Sequence, residues 1–222
     1  MTSGIALIDY KAGNLTSVKK ALTTIGAEVF VPAAPDELAG AQGIIVPGVG
    51  HFGATRALDE TWIAAILERI GEGRPLFGIC LGMQWLFEGS DEAPDLPGLG
   101  LLAGRCYRLG EVRPKPDATD QGQPRSVRLQ ADTAIKVPHV GWNSLNLTRE
   151  ASIAEGVPQG AQVYFTHSYV APVTDDAIAV TEHGEPFAAI VQHGQISGVQ
   201  FHPEKSGDVG LRILKNFLDL VG

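Results

Sequence analysis

Two short stretches of this sequence hold residue types that could do covalent chemistry. The first is Gly78-Ile-Cys-Leu-Gly82, preceded by an apolar run over residues 75–79 and followed by helix-forming residues 83–87. That is the form of a nucleophile elbow, a tight strand-to-helix turn that pushes a reactive side chain out over a sheet. A helix starting there would direct backbone N–H groups at the sulfur and favour thiolate, the reactive form. A buried cysteine acting as a small hydrophobe is the alternative at this point. The second stretch is Gly198-Val-Gln-Phe-His-Pro-Glu204. A thiolate nucleophile needs a base that takes and returns a proton. His202 ends a strand-like run, Pro203 fixes the backbone after it, and Glu204 can turn back to orient the ring. Cys80, His202 and Glu204 are thus the candidate nucleophile, acid–base and orienting carboxylate.

Other candidates weigh less. Cys106 has no comparable frame and reads as structural. Among the six histidines, His183 and His193 fall in or beside turns, where a solvated ring is the ordinary outcome. His139 and His167 lie in apolar or aromatic surroundings that suit packing and hydrogen bonding. His51 follows the turn Pro47-Gly-Val-Gly50, whose permissive backbone could aim an N–H at a tetrahedral intermediate. Such a donor, with the N–H of Leu81, is worth about 3–4 kcal/mol of barrier in acyl transfer. The alternative is a tight turn and nothing more. No Cys-x-x-Cys, His-Glu-x-x-His or Gly-x-x-x-x-Gly-Lys pattern occurs, so neither a metal nor a cofactor is expected.

These residues need elements to hold them. Apolar runs over residues 4–9, 28–31, 44–46 and 75–79 read as strands. Helical periodicity over residues 15–25 and 54–70 falls between them. Strands alternating with helices predict an α/β fold, a flavodoxin-like, mostly parallel central sheet with flanking helices. Residues 163–166, 178–181, 188–192 and 196–201 follow closely on one another, with turns such as Glu182-His-Gly184 between them. That spacing predicts antiparallel hairpins continuing the sheet through the C-terminal half, closed by a helix over residues 209–220. The proline-rich, polar residues 111–130 read as an exposed loop or hairpin insertion in a single domain spanning 1–222.

Composition excludes several functions. A formal net charge of −8 with no basic block argues against nucleic acid as the main partner. The apolar runs are far too short for a membrane span. The N-terminus lacks a signal-like pattern, and two cysteines make no disulfide framework. A cytoplasmic enzyme is expected.

The segments together resemble class I glutamine amidotransferases, whose elbow and His-x-Glu motifs match GICLGMQ at 78–84 and FHPE at 201–204. Within that class, DYKAGN and LTSV at 9–18, PGVGHFG at 47–53, PHVGWN at 138–143, YFTHSY at 164–169 and FHPEKS at 201–206 are similar to the glutaminase subunits of imidazole glycerol phosphate synthases. The resemblance implies a thioester between Cys80 and glutamine, with His202 protonating the departing ammonia and Glu204 orienting His202. It implies an oxyanion hole at Gly50 and Leu81, and contacts to glutamine from Gln84, Glu92, Ser168 and Tyr169. It also implies a heterodimer with a (β/α)₈ cyclase subunit that consumes the ammonia and activates the glutaminase, with Asn14, Trp142 and Lys205 facing that partner. Two departures stand out: Lys11 where the family usually has Gly, and the length of residues 111–130. Glutaminases feeding anthranilate or CTP synthesis, cysteine hydrolases with His directly after the elbow Cys, and a silent flavodoxin-like binding module are the rival readings.

Overall fold

The computed structural model describes residues 4–111 and 135–221. The first half alternates strands and helices: β1 (Gly4–Leu7), α1 (Leu15–Thr24), β2 (Val29–Phe30), β3 (Ala41–Gly48), α2 (Glu60–Gly71), β4 (Leu76–Cys80) and α3 (Leu81–Trp85). Short strands β5 (Gly89–Ser90) and β6 (Arg105–Arg108) follow. The second half holds β7 (His139–Ser144), β8 (Asn146–Leu147), β9 (Gln162–His167), β10 (Tyr169–Val170), β11 (Ala177–Glu182), β12 (Pro186–His193), β13 (Ile196–Val199) and α4 (Gly207–Val221).

An eight-stranded sheet in the order β2-β1-β3-β4-β13-β12-β11-β8 forms the centre. Its first five strands run parallel and the rest antiparallel. The expected flavodoxin-like α/β arrangement is what the chain adopts. Side-chain alternation explains the two layers. Ile5, Leu7, Ile45, Phe77 and Val199 pack on one face with Val18 and Leu22 of α1 and Ile213, Leu214 and Phe217 of α4. Ala6, Ile8, Ile44, Val46 and Leu76 pack on the other with Ile66 of α2 and Met83 and Trp85 of α3. Both faces are covered, which is why the central strands read as unbroken apolar runs.

Three local expectations differ from the structure. The single helix over residues 54–70 is a 3₁₀ turn, Phe52–Ala57, followed by α2. Asp59 caps α2 by accepting from the N–H groups of Thr61 and Trp62, and this cap sets the boundary. Residues 163–166 do not extend the main sheet; β9 pairs with β7 in a separate two-stranded ribbon. The helix after the elbow begins at Leu81, directly after Cys80. The insertion expected over residues 111–130 lies, apart from Glu111, outside the described residues.

Candidate active site

Parallel β3, β4 and β13 end side by side, and the candidate residues cluster at that edge. Cys80 is the last residue of β4 and has φ +53°, one of two non-glycine residues with positive φ among the described residues. Left-handed backbone at a side-chain-bearing residue is strained, and such strain concentrates where a side chain must be presented. The flanking glycines serve close approach instead of torsional freedom. A Cβ at Gly78 would lie 2.6 Å from the Gly82 carbonyl oxygen, and one at Gly82 would lie 1.8 Å from that of Val46. The helix α3 can therefore press onto β3 and β4 and hold the elbow.

His202 follows β13 and is buried. Its Nδ1 lies 2.9 Å from Oε1 of Glu204, whose side chain is fully enclosed. The 3₁₀ turn Pro203–Lys205 folds the carboxylate back onto the ring. The His202 Nε2 is buried and makes no hydrogen bond within ordinary limits among the described residues. Burial works to keep the ring neutral, but interaction with the Cys80 sulfur and with Glu204 outweighs it and pushes the His202 pKa up to about 9. That direction favours the imidazolium at neutral pH.

Gln200 also meets the sulfur, and the sequence reading did not single it out. Its buried Nε2 donates to Cys80 Sγ at 3.6 Å, and its Oε1 accepts from Gln84 Nε2 at 3.1 Å. Gln84 Nε2 also donates to the Tyr169 carbonyl at 2.8 Å. The signal was available: Gln200 is a polar residue in an apolar strand run, two positions before His202 and therefore on the same face.

A cleft of about 280 Å³ opens over the sulfur, lined by Cys80 with Gly50, Leu81, Gln84, Glu92, Ser168 and Tyr169. Every residue expected to hold glutamine or an oxyanion is on that lining. A larger hollow of about 830 Å³ along residues 147–157 contains none of them. Glu92 is anchored by the Phe52 N–H at 2.6 Å. The N–H of Val49, beside Gly50, donates to the Ala12 carbonyl at 2.6 Å and so points toward the loop after β1. His51 Nδ1 accepts from the Gly53 N–H at 2.9 Å, a local turn contact. Cys106 is buried, its thiol donating to the Gln84 carbonyl at 3.7 Å, and burial pushes its pKa up.

His167 and His139 form a buried pair. Burial foremost, and then the neighbouring imidazoles, hold both rings neutral: His139 falls to about 4 and His167 well below its ordinary value. A carbonyl can only accept, so His167 Nδ1–H donates to Tyr169 O at 3.1 Å and its Nε2 accepts from His139 Nδ1–H at 3.1 Å. Asn143 donates to the remaining His139 nitrogen at 3.3 Å. His183 stacks on His139 and meets the Lys136 carbonyl at 2.7 Å, while His193 meets Asp176 at 2.9 Å. The three interface candidates are exposed. Trp142 sits edge-on to Tyr164, Lys205 Nζ lies 5.7 Å from the centre of the same ring, and Asn14 precedes α1.

The family model described as glutamine amidotransferase class-I matches residues 6–221. A protein of Natronomonas pharaonis named imidazole glycerol phosphate synthase subunit HisH is 43% identical, with 98% of this chain and 95% of the relative covered. One of the same name from Shouchella clausii is 44% identical, with 98% of each covered. The chain belongs to the HisH branch of the class-I glutamine amidotransferases. Solved structures share the fold of this amidotransferase. One described as a glutamine amidotransferase superposes with TM-score 0.71 at 22% identity, covering 99% of this chain and all of that one. PurLQS from Thermotoga maritima gives 0.72 at 18%, covering all of both chains. Among the described residues no group of three or more His, Cys, Asp or Glu side chains is arranged to hold a metal ion, and no helix is long and apolar enough to cross a membrane.

Proposed function

We propose that this amidotransferase hydrolyses glutamine through Cys80, His202 and Glu204 and passes the ammonia to a (β/α)₈ cyclase subunit. In this reading the partner makes imidazole glycerol phosphate and an aminoimidazole carboxamide ribonucleotide, in the cytosol, as part of histidine synthesis. The name borne by the HisH relatives supports the destination. The observation that carries the chemistry is the strained Cys80 elbow, which opens on the cleft and stands close to the buried His202–Glu204 pair.

The thiolate of Cys80 attacks the side-chain amide carbon of glutamine, and the carbonyl oxygen takes the charge. Imidazolium His202 gives its proton to the nitrogen, the C–N bond breaks, and ammonia leaves a γ-glutamyl thioester. The sulfur has now lost its charge, so part of what kept His202 protonated is gone. The neutral ring then takes a proton from water as the water attacks the thioester, releasing glutamate and restoring the pair. Glu204 keeps one tautomer and steadies the cation throughout. Gln84, Glu92, Ser168 and Tyr169 hold the amino-acid end of the substrate. Gln200 steadies the thiolate by donating to it.

Gly50 and Leu81 frame the oxyanion hole. The bond from Val49 N–H to Ala12 commits one N–H of the turn after β3 to the loop after β1. Rotation of the Gly48–Val49 peptide would deliver it, and a ligand on the cyclase is the natural trigger. Cys80→Ala tests the whole reading. In the complex it removes glutamine-dependent synthesis and spares synthesis from added ammonia. Loss of both activities would contradict a role confined to glutamine hydrolysis.

A further inference from the structure

The chemistry above leaves Tyr10 without a role. It sits in the loop between β1 and α1 and is 5% exposed, yet its hydroxyl is buried with no hydrogen-bond partner among the described residues. A buried donor left unbonded is destabilising, and such groups are rare enough to need a reason. The hydroxyl lies against Gly48, the last residue of β3. A Cβ added at Gly48 would fall 2.1 Å from it, 2.7 Å from Cβ of Leu81 and 3.2 Å from the N–H nitrogen of Gly82. Burial, with the charge of Cys80 adding to it, pushes the phenol's pKa up, so it keeps its proton throughout the working range.

The same loop already holds the neighbouring peptide by its other end, since Ala12 C=O accepts from Val49 N–H at 2.6 Å. The N–H and C=O of one peptide unit point in opposite directions. A rotation that frees the Val49 N–H toward the sulfur therefore swings the Gly48 carbonyl toward the loop. There it would meet the Ala12 oxygen, acceptor against acceptor, unless a donor stands by. Tyr10 holds an unused donor against Gly48, the residue whose carbonyl turns. Lys11, between the two, has φ +64°, the backbone that brings Tyr10 and Ala12 to the same peptide.

We propose that Tyr10 is a positioning residue: its hydroxyl takes the Gly48 carbonyl oxygen when the peptide turns and so holds the Val49 N–H in the oxyanion hole. This rests on the proposed function and its rotation of the Gly48–Val49 peptide. Tyr10 touches neither substrate nor sulfur; it fixes which way one peptide faces.

The experiment compares the full chain with Tyr10→Phe, each in complex with the cyclase subunit. It measures thermal denaturation, the KM and kcat for glutamine, and affinity for the γ-aldehyde of glutamate. Addition of the sulfur to the aldehyde carbon gives a tetrahedral adduct whose oxygen occupies the oxyanion position. We expect aldehyde affinity and kcat to fall by about three- to tenfold, one hydrogen bond's worth, with KM within twofold. We also expect the melting temperature to rise, because the resting state loses an unbonded buried hydroxyl. A packing role would instead lower the melting temperature along with the rate, and that result overturns the proposal, as does unchanged aldehyde affinity. Tyr10→Met gives a second reading should the Phe variant not fold. A wild-type complex that neither binds the aldehyde nor hydrolyses glutamine would sink the glutaminase reading itself, and this role with it. A wild-type complex that does both, matched by Tyr10→Phe in the complex, sinks this role alone.

Discussion

Three influences set the charge on the His202 ring: burial, which opposes protonation, and Cys80 and Glu204, which together overcome it. The pKa of about 9 is above the ordinary 6.5. The contribution of this ring to stability is therefore complete below the ordinary value and fades as pH rises through about 9. In the proposed mechanism acylation depends on the same proton. We expect single-turnover thioester formation to hold through neutral pH and fall as pH rises past about 9, with the falling limb moved to lower pH in Glu204→Gln. A limb in the same place in both proteins would show that Glu204 does not support the cation. The convergence of Cys80, His202 and Glu204 on one place was legible in the sequence because the elbow and the His-Pro-Glu step are contiguous motifs. Gln200 was half-legible from its parity with His202. Tyr10 was not, because its significance depends on Gly48, which only the fold brings near. Lys11 read as a solvated charge or an interface charge. It is 86% exposed and paired with Asp9 at 3.0 Å, and its positive φ gives a physical reason for a glycine preference there.

At the scale of elements, the site depends on how closely α3 lies against β3 and β4. A methyl group at Gly82 would be 1.8 Å from the Val46 carbonyl oxygen, a backbone atom that moves only if the strand does. Gly82→Ala should therefore destabilise the fold by about 3 kcal/mol, the upper end of ordinary overpacking, read by urea denaturation. A change below about 1 kcal/mol would mean that the helix has slack the geometry denies. The elbow itself was legible, since an apolar run meeting Gly-x-Cys-x-Gly leaves few other conformations. The division of residues 54–70 was less so. Apolar periodicity runs through the break, and only the Asp59 cap marks it. Pairing of β7 with β9 was not legible at all. Residues 163–166 carry an ordinary strand pattern, and nothing local states whether the partner is the next hairpin or His139–Ser144.

The whole molecule places its reactive cleft and one exposed aromatic patch at the two ends of a connected structure. Trp142 and Val140 are each 57% exposed on β7, with Trp142 against Tyr164 and Lys205 over the Tyr164 ring. From Asn143, next to Trp142, hydrogen bonds run through His139 and His167 to the Tyr169 carbonyl, and on through Gln84 and Gln200 to Cys80. Glu204 and Lys205 are chain neighbours, one under the catalytic ring and the other in the patch. Large exposed aromatic side chains are the composition of a docking site's centre, where Trp commonly dominates binding. If the cyclase docks there, Trp142→Ala should weaken its binding by about 2 kcal/mol or more, roughly thirtyfold in Kd. The melting temperature should stay nearly unchanged, because an exposed ring contributes little to the core. Titration calorimetry with the purified cyclase measures the first and thermal denaturation the second. Unchanged affinity with an intact fold would move the docking face elsewhere. An equal loss of both would make Trp142 a support for the β7–β9 ribbon instead of a contact. The first expected pattern, weakened binding on an intact fold, is the one that sets the partner at the surface end of the line of hydrogen bonds leading to the sulfur.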